Sequence, residues 1–92
     1  MKKYSQLEII QKLDGYNLII NEEDYKNINQ WDVIKYIKKE TGEYSDGGLA
    51  LMKMNNKKIM IQGFYKNKFN KYNKWVIDLN KYIIFVKKKN LI

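Results

Sequence analysis

The sequence predicts an α+β domain with three N-terminal helices followed by an antiparallel β element. Three observations carry that expectation. The first 40 or so residues hold three helix-start patterns. From Leu49 onward the apolar residues fall in short strand-length runs. Finally, 92 residues suffice for one modest core and one domain, expected to span residues 1–92.

Ser5-Gln6-Leu7-Glu8 has the spacing of a capping box, in which the serine oxygen accepts an amide while Glu8 reaches back. Leu7, Ile9, Ile10 and Leu13 form a helical stripe, and Gly15 stands where the chain leaves the helix. Tyr16–Ile20 is too short for a helix and reads as a strand. Asn21-Glu22-Glu23-Asp24 opens a second helix ending near Ile28, its acids at the positive end of the dipole. That role accounts for the acid cluster without a bound cation.

Asn29-Gln30-Trp31-Asp32 repeats the pattern and predicts a third helix over Asn29–Glu40. Trp31, Val33, Ile34 and Ile37 would be buried, with Gly42 beyond the C-terminus. Leu49–Met54 and Lys58–Gln62 read as a hairpin turning at Asn55-Asn56. That register sets Met52 against Ile59, Ala50 against Ile61 and Lys53 against Lys58. Asp46-Gly47-Gly48 reads as a turn, and Gly63 as a bulge or strand end. Residues 64–75 read as a long connection. Trp75–Val86 is one strand or a hairpin turning near Asn80-Lys81.

Composition removes several function classes. There is no cysteine and no histidine, so thiolate chemistry, disulfides and the commonest general base are absent. Neither a catalytic site, nor a cofactor, nor a metal site is expected. The longest apolar run, Tyr82–Val86, is far below a membrane span, and no apolar segment follows Met1-Lys2-Lys3. A cytoplasmic protein is expected.

The net charge is +8, and all 18 basic residues are lysine. Codon bias in an AT-rich genome would raise lysine, asparagine, isoleucine and tyrosine together, but not their placement. Residues 1–46 carry 7 lysines and 9 acids, whereas residues 47–92 carry 11 lysines and the single acid Asp78. Such asymmetry points to an anionic partner.

The order helix, strand, helix, short turn, helix, hairpin over residues 5–62 resembles the winged helix-turn-helix superfamily. The resemblance implies a fold in which Asn29–Glu40 is the recognition helix and Lys53–Lys58 the wing, with residues 63–92 an added β element. It implies a double-stranded DNA partner and the regulatory or transfer roles of small plasmid and phage proteins. Candidate contacts are Gln30, Lys35, Lys38 and Lys39 on the helix, and Lys53, Asn55, Asn56, Lys57 and Lys58 on the wing. Lys66, Lys68, Lys71 and Lys74 extend the set along the connection. There they alternate with Phe64, Tyr65, Phe69, Tyr72 and Trp75, which could stack on unpaired bases. Phe64 and Trp75 are expected in the core, and Lys87–Lys89 as a phosphate-contacting or solvated tail. Single-stranded nucleic acid and an acidic protein surface are the alternative partners. The oligomeric state stays open between monomer and dimer.

Overall fold

The computed structural model describes residues 5–88. They form α1 (Gln6–Lys12), β1 (Asn17–Leu18), α2 (Glu22–Lys26), β2 (Val33–Lys38), β3 (Tyr44–Met54), β4 (Lys58–Lys66), β5 (Tyr72–Asp78) and β6 (Tyr82–Lys87). The strands make one antiparallel sheet in the order β1-β6-β2-β3-β4-β5. This overturns the expectation of three helices plus a β element: two short helices accompany six strands among the described residues.

The first two starts form as their chemistry requires. Ser5 and Glu8 complete a capping box, as do Asn21 and Asp24. The third start makes half of one. Asp32 Oδ2 accepts the Asn29 amide at 2.8 Å, yet no helix follows. Instead Asp32 N donates to Asn29 O at 3.2 Å, closing a turn in which Trp31 has φ 74°. Beyond it, Val33-Ile34-Lys35-Tyr36-Ile37-Lys38 is β-branched and aromatic, and its apolar spacing also suits a central strand. Tertiary pairing decides the matter, because β2 bonds to β3 on one side and β6 on the other. Gly42, expected beyond a helix end, lies in the β2–β3 turn.

Three irregularities curl the sheet. Between β2 and β3 the register shifts where Asp46-Gly47 opposes Lys35. Between β3 and β4 it shifts at Leu51. Between β4 and β5, Gly63-Phe64-Tyr65 oppose Asn73 alone. Thus Gly63 does mark a bulge, whereas Asp46-Gly47-Gly48 is interior strand and not a turn. The β3–β4 loop is Asn55-Asn56-Lys57, with Asn56 and Lys57 both at positive φ. Ala50 faces Ile61 as expected, but Lys53 faces Ile59, so the like-charge pair with Lys58 never arises.

The curl is obligatory. Only Leu79-Asn80-Lys81 link β5 to β6, which stand four strand spacings apart in the sheet order. Flat, those spacings span about 19 Å; the link reaches about 14 Å. The sheet therefore wraps into a partly open barrel. Ile28, Ile34, Ala50, Ile59, Ile61, Ile77, Ile84 and Val86 fill it. Trp75 on β5 donates its indole N–H to Tyr36 Oη on β2 at 3.0 Å, directly across the interior. Tyr36 in turn meets Tyr82 edge-on, with centroids 5.1 Å apart. Residues 64–75 are accordingly no free connection: they complete β4, a tight turn, and most of β5.

The first of these bends depends on two adjacent glycines. A Cβ on Gly47 would stand 2.0 Å from Ile34 O, and one on Gly48 would stand 2.1 Å from Gln62 O. Both obstacles are backbone. We expect Gly48→Ala to cost at least about 3 kcal/mol or prevent folding, because neither strand can yield. Gly42→Ala meets nothing within 4 Å and strains only its φ of +74°, costing about 1–2 kcal/mol. Urea denaturation of the two variants measures the contrast.

Candidate functional site

The acid-free stretch between Asp46 and Asp78 ends up largely on β3, β4 and β5. Its most exposed part is the turn joining β4 to β5. Asn67 builds that turn. Its Oδ1 accepts from Phe69 N at 2.9 Å and Lys71 N at 3.2 Å, while its Nδ2 donates to Asn73 Oδ1 at 2.9 Å. Its backbone closes on Lys71 O at 2.7 Å, and Asn70 takes a φ of 61°. This Asx-type network holds Lys68, Phe69 and Asn70 out from the barrel.

The bulge beside the turn supplies the rest. Two additional residues on β4 turn Phe64 and Tyr65 toward solvent, their rings 6.5 Å apart at 61°. Tyr65 is 86% exposed and Phe69 69%, far more than isolated core-covering aromatics show. Tyr72 and Phe64 are exposed as well. Lys66 Nζ lies 5.8 Å from the Tyr72 ring centre and Lys68 Nζ 5.1 Å from that of Phe69. Lys71 and Lys74 complete an exposed set of four cations alternating with four aromatic faces. The expectation that Phe64 is core is therefore corrected. Trp75 is half-buried through its bond to Tyr36, as expected.

The other sequence-predicted contacts separate from this hairpin end. Asn55, Asn56 and Lys57 are exposed at the β3–β4 loop, and Lys58 follows it. They lie at the opposite end of β4, about 26 Å from Lys66 along an extended strand. Lys57 O accepts the Leu79 amide at 3.0 Å, tying that loop to the β5–β6 turn. Lys38 ends β2 and Lys39 follows it, its N donating to Lys81 O at 3.0 Å. No helix carries Gln30, Lys35, Lys38 or Lys39 into a groove; Gln30 is an exposed turn residue.

Lys35 and Lys53 serve the helices. Lys35 Nζ donates to Lys12 O at the end of α1, at 2.9 Å, and lies 4.7 Å from the Tyr16 ring centre. Burial there lowers its pKa, offset in part by nearby Asp46. Lys53 Nζ donates to Lys26 O at the end of α2, and Lys88 Nζ to Asn27 O, the α2 cap. Strand lysines thus meet the negative ends of both helices. Lys88 also pairs at 2.9 Å with Asp32, which is 2% exposed. Lys88 is therefore not a frayed tail; Lys89 lies outside the described residues. Trp31, expected in the core, is exposed. Its amide donates to Ala50 O at 2.7 Å, which holds the turn against β3.

Tyr25 fastens α2 to the β3–β4 hairpin. Its hydroxyl lies 2.8 Å from Met54 O and 2.9 Å from Lys58 O. Burial raises its pKa above the ordinary value of 10.0. The stability that this favours is present below pH 10 and is lost as pH rises through the folded-state value. We expect wild type to exceed Tyr25→Phe by about 1 kcal/mol at neutral pH, with the gap narrowing above pH 10. Urea denaturation across that range reads it directly.

Comparison of the chain with protein-family models, curated proteins and solved structures gives no match.

Proposed function

We propose that this protein binds nucleic acid, taking unpaired bases on the β4–β5 hairpin end. One observation carries the reading: Phe64, Tyr65, Phe69 and Tyr72 stand exposed beside Lys66, Lys68, Lys71 and Lys74, with no acid between Asp46 and Asp78. Exposing such rings is costly unless something covers them. Nucleobases offer π faces, and the phosphates between them suit lysines that carry no other duty in the fold. Duplex readout by an inserted helix finds no support, since the segment expected to insert is β2, a central strand. The partner class follows from charge, and the preference for single strands from the rings. No helix among the described residues is long and apolar enough to cross a membrane.

Fluorescence anisotropy with a labelled single-stranded oligonucleotide and its duplex tests this. Single strands should bind more tightly. Phe69→Ala and Tyr65→Ala should each weaken single-strand binding by about 1–3 kcal/mol without altering the circular dichroism spectrum. Lys71→Ala should reduce the salt slope by about 0.7. Equal affinity for both forms, insensitive to Phe69→Ala, would remove the stacking role. No binding of either at low salt would hand this surface to an acidic protein.

A further inference from the structure

We infer that the cavity between β1, α2 and the β5–β6 link binds a small carboxylate with an alkyl body, of the fatty-acid class. The cavity measures about 470 Å³, within the range of small-molecule sites. Leu18, Ile19, Ile20, Leu79, Ile83 and Ile84 give it an aliphatic wall. Ile84 belongs to the core, and Ile19 and Leu79 pack against that core. Ile20, by contrast, is 77% exposed.

The wall is fixed by the fold itself. Ile19 N donates to Ile84 O at 2.9 Å, and Ile20 N to Asp24 Oδ2 at 3.0 Å. On the link, Leu79 N bonds to Lys57 O and Lys81 O accepts from Lys39 N, each at 3.0 Å. Asn80 N donates to Asp78 Oδ1 at 2.9 Å. Such a cavity is largely formed before a ligand arrives.

Charge and hydrogen bonding select the occupant. Lys39 and Lys57 line the cavity against one acid, Glu22. Lys38, Lys81 and Glu40 line the surface that adjoins it at Lys39, Asn80 and Tyr82. Neither the Lys39 nor the Lys57 ammonium has a hydrogen bond or ion pair among the described residues. Their backbones are tied to Lys81 and Leu79, two link residues at most about 7 Å apart, so both flexible side chains can close on one anionic head. Other polar groups of the wall are engaged. Tyr25 Oη meets Met54 O and Lys58 O, and Asn21 Oδ1 accepts from Asp24 N. A peptide laid here would find the amides of Ile19, Ile20, Lys39 and Leu79 already bonded, leaving them closed to its carbonyls. An alkyl carboxylate has a single polar end, which two free ammoniums match. The site is separate from the hairpin end, because Lys57 precedes β4 and Lys66 ends it.

Isothermal titration calorimetry with decanoate, below its micelle-forming concentration, should show one site per chain. Each methylene from hexanoate to decanoate should tighten binding about fourfold. Decyltrimethylammonium, with the same tail and the opposite charge, should bind about tenfold more weakly. Lys39→Ala and Lys57→Ala should each weaken decanoate binding about threefold, and Glu22→Gln should tighten it about twofold. All three positions are exposed, so the variants should keep the wild-type circular dichroism spectrum. Decanoate should shift the amide NMR signals of residues 18–20 and 79–83. No binding at millimolar decanoate, shifts confined to residues 64–72, equal affinity for decyltrimethylammonium, or lysine variants that bind as wild type does overturns the proposal.

Discussion

A three-residue link between β5 and β6 constrains everything else in this fold. Because these strands stand far apart in the hydrogen-bonded order, the sheet between them must wrap. Wrapping brings one face of every long strand inward, where six isoleucines, an alanine and a valine meet. It also brings Trp75 within reach of Tyr36, turning two amphipathic aromatics into a polar bridge inside an apolar barrel. One of the bends that permit this falls where the backbone comes too close for any Cβ, at Gly47 and Gly48. Curvature, core and glycine placement are three aspects of one closure.

The lysines divide by what the closed barrel asks of them. Lys35, Lys53 and Lys88 come from strands or their ends, and each donates to a helix-terminal carbonyl. In so short a chain, α1 and α2 bury little of their own, and charge-assisted hydrogen bonds hold them to the sheet. Lys88 also neutralises Asp32, the one buried acid among the described residues, which in turn orders the turn presenting Trp31. The lysines at the β4–β5 end have no such structural role. Lys66 lies beside the Tyr72 ring and Lys68 beside that of Phe69, and with no acid between Asp46 and Asp78 the local potential is positive.

The closed barrel also isolates that hairpin. A winged-helix surface would have joined helix, wing and connection into one footprint. In the barrel, β4 separates the β3–β4 loop from the β4–β5 turn by its full length. Lys57 and Lys66, neighbours in an interface drawn from sequence, face opposite ends of the molecule. The exposed aromatics belong to one end alone, so a binding mode resting on them is local to one hairpin.

By itself the sequence determined the capping of α1 and α2, the position of the β3–β4 turn and the acid-free basic half, and it left Gly63 open between a bulge and a strand end. Each depends on residues a few positions apart: Ser5 with Glu8, Asn21 with Asp24, a run of asparagines between apolar stretches. It also showed the alternation of lysine and aromatic residues now seen at the hairpin end. It could not decide Asn29–Lys38. There the cap chemistry of Asn29 and Asp32 is locally sound, and the apolar spacing of Val33, Ile34, Tyr36 and Ile37 suits helix and central strand alike. Only the tertiary structure settled it, because β3 and β6 supply two ladders of hydrogen bonds that a helix at that position would leave unpaired. The same holds for Phe64 and Trp75. Both are aromatics in a basic segment, but a bulge two residues wide turns one outward, while closure of the barrel gives the other a partner thirty-nine residues away.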